Sequence, residues 1–182
     1  MLVSRTARFL RLNVARRFVR KNDGAAAVEF GLVAAPFLAL VFAILETAVI
    51  FFAGQVLETA AADSGRLIMT GQAKALGITG ASGFKDEVCK RIYGLFDCSK
   101  IQVDVRKYSS LASADMSKPI ENGQLKTTLG YDQTAAGDLV VVRLLYEYPV
   151  YVSLLGLNLA DMGNSKRLIM ATSAFRNEPF GP

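Results

Sequence analysis

The stretch that decides the fold of this 182-residue chain is Gly24-Ala25-Ala26-Ala27-Val28-Glu29-Phe30, which opens a long apolar segment ending near Leu57. Two acids, Glu29 and Glu46, interrupt the segment and are separated by sixteen uncharged residues. At about 1.5 Å per residue those sixteen span roughly 24 Å, so flanking residues are needed to cross a bilayer core of about 30 Å. We therefore predict one transmembrane helix over residues 25–57, with each glutamate near an interface. A buried helix of a soluble domain is the competing interpretation, which the two acids and the basic flank disfavour.

The segment before this helix, residues 1–24, is strongly basic. Against the single acid Asp23 it carries Arg5, Arg8, Arg11, Arg16, Arg17, Arg20 and Lys21. The rest of the chain then has fourteen basic and fifteen acidic residues, so no nucleic-acid partner is expected for the folded domain. Positive residues directly before a span hold that end in the cytoplasm. We predict a basic cytoplasmic leader and a C-terminal domain on the outer side, with an amphipathic surface-binding helix as the alternative for residues 1–24.

The helix is predicted to continue beyond the membrane, because small and apolar residues recur along one side of it. They are Val56, Leu57, Ala60, Ala61, Ser64, Leu67 and Ile68. Such a stripe allows close packing against a sheet or a second helix. Farther along, we expect a loop containing Gly77, Gly80 and Gly83, followed by a short helix over residues 84–96.

Three later stretches have the alternating pattern of β-strands. They are Ile101–Arg106, Leu139–Tyr148 and Arg167–Arg176, and the polar residues 109–137 are expected to form an excursion with little regular structure. In the first strand Asp104 falls on the polar face, and in the second Arg143 and Glu147 do. We predict an α+β fold in which a long N-terminal transmembrane helix packs at its outer end against a small antiparallel β-sheet domain, residues 58–182, with one short helix.

Cys89 and Cys98 are the only cysteines, nine positions apart. Outside the cytoplasm, two cysteines this close predict a structural disulfide. The chain has no histidine, which removes the commonest metal ligand and the commonest general base. We expect no metal, no cofactor and no catalytic residue, and therefore a protein that is not an enzyme.

The apolar segment Pro149–Leu159 has no clear helical period. One interpretation is that it completes the core. The other is a loop that presents Leu154, Leu155 and Leu157 to a partner or to the membrane face. The sequence leaves both open.

The chain resembles the TadE-like family, the minor pilins or pseudopilins of tight-adherence (Tad) pilus systems. Its opening segment, GAAAVEFGLVAAPFLALVF, is similar to the family's motif of a glycine, a glutamate five positions later and an apolar helix with an early proline. Two further segments resemble the family, the end of the small-residue stretch at Gly65-Arg66 and Thr70-Gly71, and the terminal Phe175-Arg176-Asn177-Glu178-Pro179-Phe180. Phe30 departs from the major pilins, where a tyrosine is usual. Together with the large outer domain, this favours a minor component.

The resemblance implies a defined sequence of events. A prepilin peptidase in the bacterial inner membrane would cut between Gly24 and Ala25, because the enzyme accepts little bulk before the scissile bond. Glu29, followed by Phe30, would then face the freed amino group of a neighbouring subunit, cancelling two charges that are costly in apolar surroundings. The alternative for Glu29 is an acid favoured by the helix dipole.

The resemblance also implies partners and a location. The expected partners are the peptidase, other pilins or pseudopilins, the inner-membrane assembly machinery and membrane lipid, with roles in pilus assembly, adhesion or surface attachment. The protein would be single-pass, with its C-terminal domain in the periplasm and a pilus association. The alternative is an uncleaved membrane-anchored envelope protein whose outer domain binds another protein.

Overall fold

The computed structural model describes residues 24–92, 94–126, 128–152 and 158–180. The chain divides into two compact units, Met1–Phe42 and Ala43–Pro182. Residues 1–23 of the predicted leader lie outside the described residues, as do Leu154, Leu155 and Leu157.

The longest element is helix α1, Ala25–Met69, of 45 residues. It continues through Pro36 and ends in a turn in which Gly71 has a φ of 75°, a value that glycine adopts without strain. One side of its second half is buried, at Ala43, Ile50, Ala53, Leu57, Ala60, Ala61, Ser64, Gly65 and Ile68. The predicted stripe is therefore confirmed as the face that packs into the core.

Close packing on this face depends on small side chains. A Cβ added at Gly65 would lie 2.8 Å from the Phe175 ring and 3.4 Å from the Ser173 hydroxyl. Because a strand residue sits directly over Gly65, the helix approaches the sheet more closely there than any larger residue would allow.

The sheet contains three antiparallel strands in the order β1–β4–β5, and all three predicted strands are confirmed. β1 spans Gln102–Tyr108, β4 spans Leu139–Pro149 and β5 spans Lys166–Arg176. In register, Val105 lies opposite Val142, and Leu144 lies opposite Ala171. One face of the sheet joins α1 in a single core that includes Val103, Val105, Val140, Val142, Leu144, Tyr146, Ile169 and Ala171.

The opposite face of the sheet is covered as well, which corrects the prediction for Asp104 and Arg143. Both were expected on a polar face, yet Asp104 is 0% exposed and Arg143 is 8% exposed. Their neighbours on that face, Val141 and Leu145, are also buried. The covering comes from the excursion, because Arg143 Nη1 donates to the carbonyl of Asp115 at 3.1 Å.

The excursion has little regular structure, as predicted. It contains a 3-10 turn at Leu111–Ser113 and a hairpin of two short strands, β2 at Ile120–Glu121 and β3 at Gln124–Leu125. The turn between β2 and β3 contacts the chain just before β5, because the Gly163 N–H donates to the carbonyl of Gly123 at 2.7 Å.

The predicted helix over 84–96 is wrong in its bounds. A four-residue helix, α2, spans Gln72–Ala75, and the next helix, α3, spans Ala81–Cys89. Gly83 therefore lies inside a helix and not in the loop. Helix α3 starts where Gly80 is extended, with a φ of −162°, and it buries Phe84 and Val88. It ends early because the chain must turn back for Cys98 to reach Cys89.

The Cys89–Cys98 disulfide is formed, with a Cα–Cα distance of 5.9 Å. It joins the end of α3 to the 3-10 turn Cys98–Lys100, which the Asp97 carboxylate caps by accepting the Ser99 N–H at 3.0 Å. Just before this turn, the Phe96 ring packs edge-on against Tyr146 of β4 with centroids 4.9 Å apart. The bridge thus fixes the chain that leads into β1.

Candidate interaction surfaces

The residues singled out at the start of the apolar segment are all accessible. Gly24 directly precedes α1, and Gly24, Ala25, Glu29 and Phe30 are exposed. The Phe30 side chain is 74% exposed. Glu29 lies beyond the first turn of α1, and because the helix dipole acts mainly within the first turn, the dipole alone is a weak reason for an acid at this position.

The first unit exposes large apolar side chains along the described part of the helix. They are Val28, Phe30, Leu32, Val33, Phe37, Leu38, Leu40 and Phe42. By length and composition, α1 is long and apolar enough to cross a membrane. Exposed apolar side chains in such numbers are typical of a surface that contacts lipid or other apolar helices.

In the second unit, the face of α1 that points away from the sheet changes character along its length. Ile44, Leu45, Phe51 and Phe52 are exposed apolar residues, with Phe52 at 61%. Beyond them the exposed residues, apart from Ala62, are polar: Gln55, Glu58, Thr59, Asp63 and Arg66. The exposed surface on this face therefore changes from apolar to polar between Phe52 and Gln55.

Glu46 has a role that the sequence prediction missed. Its carboxylate accepts the backbone N–H of Tyr151 at 2.5 Å and that of Val152 at 2.9 Å. It thereby holds the chain that follows β4 against α1. A signal was available in the sequence, because Glu46 falls on the same side of the helix as Ile50, Ala53 and Leu57, which predicts a partner within the chain.

A cleft of about 650 Å³ lies beside this contact. Its lining includes Tyr148, Tyr151, Lys100 and Lys166. Burial raises the pKa of the Tyr148 phenol, and the neighbouring Tyr151 and Glu46 add to the shift. Both lysines have acidic partners, with Lys166 Nζ 2.6 Å from Glu147 and Lys100 Nζ 3.3 Å from Asp97. The cleft is thus aromatic, and its cations are largely neutralised.

A second cavity, of about 350 Å³, lies between α1 and β5. Its lining includes the apolar side chains of Ile50, Phe51 and Leu159 and the charged side chains of Glu58 and Arg167. Within the described part of the chain, no group of three or more His, Cys, Asp or Glu side chains could hold a metal ion. The cavity has no arrangement of groups that indicates a reaction.

These features define a class of protein, a single long helix with an exposed apolar half that continues into a small α+β domain. A family model described as TadE-like protein matches residues 24–66, which confirms the resemblance found in the sequence. The match covers the opening motif and most of α1, and it points to a protein associated with Tad pili. No curated protein and no solved structure matches the chain.

Proposed function

We propose that the protein is a minor pilin or pseudopilin of a Tad-type pilus, a non-enzymatic subunit cut by a prepilin peptidase between Gly24 and Ala25. The observation that carries this proposal is the position of the family match, which begins at Gly24. That glycine stands five positions before Glu29, the spacing on which the resemblance rests.

Processing at Gly24 is supported by its surroundings. Nothing lies within 4 Å of the position that a Cβ would take at Gly24, so its lack of a side chain is not required for packing in the described structure. A peptidase that tolerates little bulk before the scissile bond gives this glycine a purpose. The cut leaves the amino group of Ala25 at the start of α1.

Glu29 is the residue that we assign to subunit pairing. It is exposed among apolar neighbours, and an ionised carboxylate inside a membrane span costs about 2.5–3.5 kcal/mol near the helix centre. Pairing with the freed amino group of an adjacent subunit removes both charges from apolar surroundings. Because Glu29 is the fifth residue after the cut, the pair fixes the stagger between neighbouring helices, with Phe30 beside it.

Location and partners follow from the same proposal. The basic leader stays in the cytoplasm, α1 crosses the inner membrane, and the disulfide-linked domain lies in the oxidising periplasm. The partners are the prepilin peptidase, other pilins or pseudopilins, the assembly machinery and membrane lipid. The subunit serves pilus assembly, adhesion or surface attachment.

The test is the intact mass and N-terminal sequence of the protein recovered from its own membranes. We expect a start at Ala25 for the wild type and a retained leader for Gly24→Val. Gly31→Val is the matched control, because Gly31 is also an exposed glycine with open space around it, and its leader should be removed normally. A Met1 start in cells with active peptidase would contradict processing and favour an uncleaved, membrane-anchored envelope protein.

Pairing through Glu29 needs a separate test. Glu29→Ala should insert and be cleaved, yet enter pilus assemblies poorly. Glu58→Ala changes an exposed acid of the same helix beyond the apolar face and should assemble as the wild type does. Normal assembly of the Glu29 variant would contradict the pairing.

A further inference from the structure

We propose that Tyr151 is an interfacial anchor, held by Glu46, through which the outer domain docks on the headgroup region of the membrane that α1 crosses. The inference rests on the membrane anchoring in the proposed function, but on neither leader cleavage nor pilus assembly. The docking segment is defined as Val150–Val152.

The depth of Glu46 follows from α1. The face of α1 that points away from the sheet is apolar up to Phe52 and polar from Gln55 onward, so the outer edge of the headgroup region, where the membrane meets water, lies between them. Glu46 precedes Phe52 by six residues, which is about 9 Å of helix. Glu46 therefore lies on the membrane side of that edge.

The docking segment lies at the level of Glu46. The backbone nitrogens of Tyr151 and Val152 are within 2.9 Å of its carboxylate oxygens. Tyr151 is 80% exposed, the largest exposed fraction among the large apolar side chains of the described residues. At this depth, the ring is surrounded by lipid headgroups and by the carbonyl ends of the acyl chains.

The chemistry of the contact fits that medium. A tyrosine ring joins an apolar body to a polar hydroxyl, which favours the membrane–water interface. Backbone N–H groups near hydrocarbon require an internal acceptor, and Glu46 supplies one for two of them. The same two N–H groups stabilise a carboxylate that would otherwise be poorly solvated.

The docking does not depend on lipid charge. Lys166 and Lys100, the cations that line the adjacent cleft, are engaged by Glu147 and Asp97. The basic groups close to Tyr151 therefore offer little free charge to anionic headgroups. The affinity comes from the aromatic side chain, so zwitterionic lipid should serve as well as anionic lipid.

The experiment uses the absence of tryptophan from the chain. Tyr151→Trp in the full-length protein, reconstituted at one copy per nanodisc, gives a single fluorescent reporter. With phosphatidylcholine brominated near the carbonyl end of the acyl chain, we expect strong quenching of the Tyr151→Trp fluorescence and poor quenching by aqueous iodide. Leu111→Trp is the matched control, since Leu111 is 57% exposed on the excursion, and it should show the reverse pattern.

A second substitution tests the role of Glu46. Adding Glu46→Gln to Tyr151→Trp should release the segment and at least halve the quenching by lipid bromine, whereas adding Glu58→Gln should leave it unchanged. The fluorescence of Tyr151→Trp, with either second substitution, can be measured while the leader is still attached. A failure of leader processing would therefore not affect this result.

Two results would overturn the proposal. One is a Tyr151→Trp reporter that iodide quenches as fully as the Leu111→Trp control, which would place the ring in water. The other is protection from iodide only when several copies share one nanodisc, without quenching by lipid bromine. In that case the ring contacts a neighbouring subunit and not lipid.

Discussion

Glu46 of α1 accepts the backbone N–H of Tyr151, a residue 105 positions later in the chain, at 2.5 Å. This hydrogen bond and its companion to Val152 fasten the end of the central strand to the long helix. A charged side chain that the sequence predicts at a membrane interface is thus also a structural connection within the second unit, Ala43–Pro182.

Glu46→Gln should destabilise the second unit by about 1–3 kcal/mol, because hydrogen bonds to a charged acceptor contribute about 1.5–3 kcal/mol and the amide retains only one acceptor oxygen. The loss should be local, with faster amide hydrogen exchange at Tyr151 and Val152 measured by mass spectrometry of the protein in nanodiscs. Glu58→Gln is the control and should leave exchange unchanged. Equal exchange in Glu46→Gln and wild type would refute the connection.

Removal of either partner of the buried ion pair between Asp104 and Arg143 should lower the free energy of unfolding. Arg143 donates from Nη2 at 2.6 Å and from Nε at 2.9 Å to the Asp104 carboxylate, which also accepts the Gly130 N–H at 2.9 Å. Asp104→Asn leaves the guanidinium buried and should cost about 3–5 kcal/mol. Chemical unfolding of the detergent-solubilised protein measures the change.

Two further variants make the ion-pair prediction specific. Asp86→Asn, at an exposed site on α3, should change stability by no more than about 0.5 kcal/mol. The double variant Asp104→Leu/Arg143→Met replaces the pair by apolar side chains and should recover part of the loss. The recovery is partial because Arg106 Nε and the Gly130 N–H also donate to Asp104 and lose their acceptor. A double variant less stable than Asp104→Asn would contradict this account.

Replacement of each of two glycines of α1 by alanine should change the stability of the protein in opposite directions. Gly54 has open space where a Cβ would lie, so Gly54→Ala should stabilise the helix by about 0.5–1 kcal/mol. At Gly65 the new Cβ would lie 2.8 Å from the Phe175 ring, and overpacking costs about 1–3 kcal/mol. Thermal unfolding of both variants side by side provides the comparison, and an equal gain in Tm would show that the Phe175 ring moves aside freely.

Loss of the Cys89–Cys98 disulfide should destabilise the second unit by up to about 3 kcal/mol, because the bond closes a short loop. Cys89→Ala/Cys98→Ala should therefore lower the unfolding midpoint while leaving the strands in place. Mass spectrometry after alkylation of the native, unreduced protein provides the chemical check. Alkylated cysteines in that sample would show that the bond does not form in the cell.

The three strands and the long helix could be predicted because each shows its own periodicity. Ile101, Val103 and Val105 alternate in the strand pattern, and Leu57, Ala61 and Ile68 recur at helical spacing. These patterns report one buried face for each element. They do not report a second covering layer, so the burial of Asp104 and Arg143 under an irregular excursion was missed.

The identity of the partner of Glu46 was also beyond the sequence, although the position of Glu46 on the buried side of α1 predicts a partner within the chain. Nothing in the composition of Pro149–Leu159 reveals that Tyr151 N–H meets a carboxylate 105 positions earlier. The end of α3 was misplaced for a related reason, because apolar residues at Ile92 and Phe96 extend the helical pattern while the disulfide requires the chain to turn. Contacts between distant parts of the chain, and not local periodicity, determine both structures.

The stability of the second unit should fall as the pH rises above about 10, because the phenol of Tyr131 is partly buried. Its ring lies 6.0 Å from Phe84, and burial raises the pKa of the phenol above its ordinary value of 10.0. The unfolded chain therefore releases this proton first, and the free energy of unfolding decreases between pH 10.0 and the higher folded pKa. Tyr131→Phe should remove this part of the decrease, as measured by urea unfolding at about pH 8 and again above the ordinary tyrosine pKa of about 10. Parallel losses in variant and wild type would show that Tyr131 ionises as readily in the folded protein as in the unfolded chain.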